Sequence, residues 1–170
     1  GTKRVVTVYD MIPERLPNTR RRLDLLTLKR RYIESADHVI CISQATKNDL
    51  LEIYGAYETP TTVVHLGVDT RFNPDVPRVP GFPEKYVLFV GHRGQYKDAS
   101  TLMRAFAQIA GDFPEHQLLF AGGGNVTKEE RALLNALGIQ ERTQQFDLPD
   151  ETMPSAYAHA AAFAFPSRFE

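Results

Sequence analysis

The stretch Tyr86-Val87-Leu88-Phe89-Val90-Gly91-His92-Arg93-Gly94-Gln95-Tyr96-Lys97-Asp98 decides the fold. Its first five residues are apolar without alternation, the pattern of a strand buried on both faces of a parallel sheet. Gly91 and Gly94 then break the run. A helical pattern follows, starting near Asp98 to Ser100, with Leu102, Ala105, Phe106 and Ile109 at i, i+3, i+4 and i+7. Strand, glycine loop and helix in that order form the opening unit of a doubly wound α/β sheet.

The rest of the chain repeats the unit. Short apolar runs occur at 5–9, 38–42, 62–66, 118–121 and 162–165, with a weaker candidate at 143–146. Helical spacing lies between them, as in Thr46, Leu50, Ile53 and Tyr54, and in Met153, Ala156, Tyr157 and Ala160. Ser43 is placed to cap one helix, Thr127 with Glu130 fits a capping box, and Asp150 is placed to cap the last helix. Residues 71–85 hold Pro74, Pro77, Pro80, Pro83 and Gly81, a density that excludes ladder donors and a helix interior and reads as an ordered extended linker. The expected division is therefore a first domain over 1–70, a linker over 71–85 and a second domain over 86–170. Three strands fall in the first and up to four in the second, so both sheets are expected to be incomplete in this chain.

Composition narrows the class. Of 170 residues, 42% are hydrophobic and 24% charged, a balance that excludes disorder, and no apolar run approaches the roughly 20 residues of a membrane span. Cys41 is the single cysteine, which excludes a disulfide framework and a cysteine zinc site and makes a reducing cytoplasm the default location. No histidine pair sits at i, i+4, and neither Asp-x-Asp nor G-x-S-x-G is present, so no metal site is expected. His65 reads as a packed or capping histidine. Residues 1–35 carry a charge of +5 within a chain of net charge −1. A helix capped by Asn18 and running to about Ser35 places Leu25, Leu28 and Tyr32 on one face. It fits a core-facing helix with a cationic outer side, and also an interfacial helix on an anionic membrane.

In open α/β sheets ligands bind beyond the carboxyl ends of the strands. After the run at 86–90, Gly91 and Gly94 permit close backbone approach, a helix N-terminus points into the same space, and Arg93 and Lys97 add two cations. This suits a diphosphate. It also suits a surface turn with two solvated cations. After the run at 118–121 come Gly122, Gly123, Gly124 and Asn125, a second glycine loop. A dinucleotide fingerprint would need glycine where Thr127 stands.

Taken in order, these stretches resemble the family-4, or group 1, glycosyltransferases. The residues that carry the resemblance are Val6-Thr7-Val8-Tyr9-Asp10-Met11-Ile12-Pro13, Ala36-Asp37-His38-Val39-Ile40-Cys41-Ile42-Ser43 and Val63-Val64-His65-Leu66-Gly67-Val68-Asp69. To these are added the 86–97 stretch, Leu118-Leu119-Phe120-Ala121-Gly122-Gly123, Asp150-Glu151 with Tyr157, and Phe165-Pro166-Ser167-Arg168-Phe169-Glu170.

The resemblance implies a GT-B fold of two Rossmann-like domains, the first for the acceptor and the second for a nucleotide-diphosphate sugar. It implies transfer of a hexose, mannose among the candidates, to a glycan or lipid-linked acceptor with retention of configuration, in polysaccharide biosynthesis. No cofactor or metal is implied. Arg93 and Lys97 resemble the diphosphate clamp, and Glu170 the first glutamate of an E-x7-E motif that contacts the donor sugar. Gly91, Gly94, Gly122, Gly123, Leu148 and Asp150 fall in donor-binding loops. Tyr9 stands where the family often has histidine, on the acceptor side.

The expected partners are the nucleotide-sugar donor and the acceptor, with, from the basic charge of residues 15–31, peripheral contact to an anionic membrane at the inner face, and no nucleic acid. The chain is expected to be the middle portion of a longer enzyme and inactive by itself. A nucleotide-diphosphate-binding fragment without chemistry, and a basic module for membrane or nucleic acid, are the alternatives.

Overall fold

A computed structural model describes residues 1–16, 23–55 and 58–169. They form two compact units, Gly1–Gly67 and Val68–Phe169. The expected strands are present, with ends shifted by one to three residues, and all pair in parallel.

The first unit carries β1 (Val5–Val8), α1 (Ile12–Arg15), α2 (Leu23–Glu34), β2 (His38–Cys41), α3 (Gln44–Tyr54) and β3 (Thr61–Val63), with sheet order β1-β2-β3. Its core joins Val8, Val39 and Cys41 of the sheet to Met11, Ile33 of α2 and Leu50 of α3. Ser43 caps α3, accepting from the Thr46 amide at 3.0 Å.

The second unit carries β4 (Lys85–Val90), α4 (Ala99–Ile109), β5 (His116–Ala121), α5 (Lys128–Ala136), β6 (Thr143–Phe146), α6 (Met153–Ala158) and β7 (Ala162–Phe163), with sheet order β6-β5-β4-β7. Period-two alternation sends Phe89, Leu118 and Phe120 to one face, against Leu102, Met103 and Phe106 of α4 and Leu134 of α5. Tyr86, Leu88, Leu119 and Ala121 go to the other, against Ala156 of α6. Both faces are covered, which is why these strands read as continuous apolar runs.

Five expectations change. On α4 the core face runs through Leu102, Met103, Phe106 and Ala110, while Ala105 and Ile109 are exposed. On α2, Leu28 and Tyr32 are exposed and Ile33 is buried, so its inward face is rotated from the expected one. The side chain of Leu25, Asn18 and the arginines at 20–22 lie outside the described residues. The position before α6 is Thr152 and not Asp150, with Pro154 in the first turn, where a missing N–H costs nothing. His65 is exposed and not packed. The proline-rich stretch belongs to the second unit. Val79 N–H donates to Ser155 Oγ (2.9 Å), the Val76 carbonyl and His159 Nε2 lie 2.8 Å apart, and Phe82 packs edge-on to Phe146.

Candidate functional site

The chain of the second unit steps outward from β4 to β5 to β6, then crosses back past β4 to β7. The order therefore reverses between β4 and β7, and such switch points are where open α/β sheets take their ligands. Residues 91–98 and 164–169 leave the sheet there.

These two loops are tied together. The Arg168 amide donates to the Tyr96 carbonyl at 2.9 Å, and its guanidinium pairs with Asp98 at 3.0 Å. Asp98 sits in the left-handed region at φ 45° and begins α4. Hydrogen bonds from Ser100, then Arg168, then Thr101 hold its carboxyl down at about 2. Lys97 ends a 3₁₀ turn, Gln95–Lys97, with its ammonium 5.1 Å from the Phe165 ring centroid. A Cβ on Gly91 (φ 100°) would lie 3.2 Å from Lys97 Nζ, so glycine there leaves room for the ammonium. Among the described residues no carboxylate pairs with Lys97.

Arg93 is placed otherwise than expected. Only 2% of its side chain is exposed. Its guanidinium donates to the carbonyls of Gly122 (3.0 Å), Gly124 (2.9 Å) and Asn125 (2.9 Å), and its Nε to Glu130 Oε1 (3.0 Å). It also lies over the Phe120 ring at 5.4 Å. Arg93 and Lys97, expected together at a diphosphate, are thus oriented differently: Arg93 faces inward and binds the neighbouring glycine loop. Spacing along the chain gives no side-chain direction, so the sequence could not separate the two.

That glycine loop is tightly fitted. A Cβ on Gly123 (φ 76°) would stand 2.4 Å from the Gly91 carbonyl oxygen. Glu130 joins both loops to α5: Oε1 receives Arg93, and Oε2 receives the Thr127 amide at 2.8 Å, completing the expected capping box. By contrast, Gly94 has an ordinary φ of −90° and no neighbour within 4 Å of a would-be Cβ. Leu148 is half-buried in the β6 face of the core, and Asp150 is exposed. Glu170 lies outside the described residues. Sequence reasoning did not single out Asp98, Arg168 or the Phe165 ring as partners of the loop; proximity of the β4 and β7 ends is a property of the strand order.

In the first unit Tyr9 follows β1 directly and is 60% exposed. It borders a groove of about 520 Å³ with Leu28, Lys29 and Tyr32. Its carbonyl accepts from the Thr46 hydroxyl at 3.2 Å. Several nearby charges are paired. Glu14, 5% exposed, takes Lys29 at 2.9 Å and the Tyr54 hydroxyl at 2.7 Å. Arg15 binds Asp49 and Glu52, and Arg30 binds Glu34. Burial, and then the bond to Glu14, push the Tyr54 phenol above its usual range. The described residues contain no group of three or more His, Cys, Asp or Glu arranged to hold a metal, and no helix long and apolar enough to cross a membrane.

Two all-parallel sheets, the second reversing its strand order between β4 and β7, define Rossmann-like units. The comparisons with known proteins give the family: residues 75–170 match glycosyl transferases group 1 and residues 1–72 match glycosyltransferase family 4. The chain belongs to the group 1 glycosyltransferases.

Mannosylfructose-phosphate synthase of Agrobacterium fabrum is 31% identical over 155 residues, covering 80% of this chain and 34% of that protein. D-inositol 3-phosphate glycosyltransferase of Corynebacterium jeikeium is 29% identical over 158 residues, covering 82% and 38%. The chain thus spans about a third of the length of the curated relatives it matches. Among solved structures, sucrose-phosphate synthase from Thermosynechococcus elongatus aligns with TM-score 0.69 at 22% identity, over 96% of this chain and 44% of that one. Anabaena Alr3699/HepE in complex with UDP and glucose aligns with TM-score 0.70 at 20% identity, over 96% and 46%.

Proposed function

We propose that the second unit is the donor half of an enzyme moving a hexose from a nucleoside-diphosphate sugar to a glycan or lipid-linked acceptor, with retention and without a metal. The observation that carries this is Lys97, a cation with no carboxylate partner among the described residues, at the β4–β7 switch point of a group 1 glycosyltransferase. When the bond from the sugar carbon to the diphosphate breaks, negative charge grows on the departing phosphate oxygen. A fixed ammonium in a partly enclosed loop stabilises that charge more than it stabilises the bound donor. The acceptor hydroxyl attacks from the side the diphosphate leaves, and the leaving phosphate takes its proton.

Gly91 and Gly123 support the reading by allowing the loops to approach closely. Glu170 is assigned to the sugar hydroxyls by its place in the motif, and Tyr9 to the acceptor side by its exposed position directly after β1. Mannose stands among the candidate sugars because one relative is named a mannosylfructose-phosphate synthase.

The test is a thermal-denaturation panel with UDP, GDP, ADP and their hexose conjugates, each in excess EDTA. One nucleotide series is expected to stabilise the chain, by about 2.7 kcal/mol at a hundred times its Kd. A folded protein that none of them stabilises contradicts the reading.

A further inference from the structure

Arg93 looks, by its position in the motif, like one of two cations for the donor phosphates, yet its surroundings leave it little to offer an anion. Of its five N–H donors, four have protein partners: three bonds go to backbone carbonyls and one to Glu130. The Glu130 carboxylate at 3.0 Å cancels its charge locally. What the guanidinium does instead is draw in the carbonyls of Gly122, Gly124 and Asn125. The peptide unit is planar and trans, so the amides in the same units, those of Gly123, Asn125 and Val126, are turned away from Arg93. These three amides make no hydrogen bond among the described residues. Gly122, Gly123 and Gly124 all sit near φ 75°, a sequence of left-handed residues that needs an external anchor to persist. Arg93 supplies that anchor from the neighbouring loop, and Gly123 lets the two loops close to within a Cβ radius.

We propose that Arg93 is a positioning residue: it holds the 122–125 loop with its carbonyls inward and its free amides outward, and Lys97 alone of the two touches the donor diphosphate. The proposal rests on the donor-site reading above. A planar fork that serves several carbonyls at once is a task for arginine. Lysine, with a compact ammonium on a flexible stem, does not reproduce it.

The experiment has two arms. In the first, backbone amide NMR order parameters of residues 122–126 are measured without nucleotide in the unsubstituted chain, Arg93→Lys and Lys97→Met. Arg93→Lys is expected to lower the order parameters of this loop, and Lys97→Met to leave them unchanged. Unchanged order parameters in Arg93→Lys overturn the proposal.

In the second arm, the affinity for the nucleoside diphosphate that binds best is measured by calorimetry over a salt series. Lys97→Met is expected to weaken binding by roughly thirtyfold or more and to flatten its salt dependence, because one ionic contact is gone. The neutral double variant Arg93→Gln/Glu130→Gln is expected to weaken binding about tenfold, at unchanged stoichiometry, with the salt dependence of the unsubstituted chain. A salt dependence flattened as much as in Lys97→Met shows direct contact and overturns the proposal. So does a loss of stoichiometry with Kd unchanged, the signature of a residue that only supports folding. If the unsubstituted chain binds no nucleoside diphosphate, the donor-site reading fails, and the order-parameter arm still decides whether Arg93 fixes the loop.

Discussion

The loops that follow β1 and β4 stand at the same place in two parallel sheets, just past the carboxyl end of a strand, and they use charge differently. After β1, Glu14 binds Lys29 and Tyr54, and Arg15 binds Asp49 and Glu52, so these charges close on one another. After β4, one cation is turned inward onto carbonyls and a carboxylate, and the other stands over an aromatic ring with no carboxylate partner among the described residues. A closed network contributes to holding helices in place. A cation left without a counter-charge contributes little to folding and is available to a ligand. Within the basic N-terminal part, Arg15 draws on Asp49 and Glu52 from outside it, whereas the Lys29–Glu14 and Arg30–Glu34 pairs are internal and leave its net charge of +5 unchanged.

The contrast can be broken most forcefully in the first unit. Glu14→Ala leaves Lys29 and the Tyr54 hydroxyl without their shared partner, and a loss of about 2–4 kcal/mol is expected in denaturant unfolding. A loss below about 0.5 kcal/mol would mean that the β1 network is not structural.

Within the second unit, glycines sharpen the difference between fitted and open positions. Gly123→Ala forces a Cβ toward a backbone oxygen at a positive φ, and about 2–3 kcal/mol of destabilisation is expected. Gly94→Ala, with nothing nearby and φ −90°, should stay within about 0.5 kcal/mol of the unsubstituted chain. Equal effects of the two substitutions would show that the loop packing is misassigned.

The smallest expected effect is pH-dependent. Asp98 is held at about 2, below its ordinary 3.8, so its ionised form is favoured by folding. That contribution is present in full above pH 4 and disappears as pH falls through 2. Asp98→Asn should therefore be less stable than the unsubstituted chain at neutral pH, with the gap narrowing between pH 4 and 2. A gap that does not change with pH would mean that the Arg168 and Ser100 contacts do not depend on the charge.

Much of this fold was legible because a strand buried on both faces leaves a continuous apolar run. Residues 86–90 and 118–121 announce themselves, and Thr127 with Glu130 announces the start of α5. The helix faces were less legible. Spacing puts Ile109 on the same stripe as Phe106, but the sheet is met by Met103 and Ala110, since a hydrophobic stripe wider than the interface leaves its edge outside. Asp150 and Thr152 are both competent caps, and Pro154 sets where α6 begins. At the site, glycine spacing found both loops. It could not show that Arg93 turns from one to the other, that Glu130 serves Thr127 with one oxygen and Arg93 with the other, or that β7 brings Phe165 to Lys97. Those facts belong to strand order and side-chain direction.

Lys97, at the β4–β7 switch point, is the proposed cation for the donor diphosphate. The most direct measurement is calorimetric titration of the chain and of Lys97→Met with UDP, GDP and ADP in EDTA, alongside their melting temperatures without ligand. The expected result is saturable binding of one nucleotide by the unsubstituted chain, binding weakened by roughly thirtyfold or more in Lys97→Met, and equal melting temperatures. Equal affinity in the two proteins would contradict it.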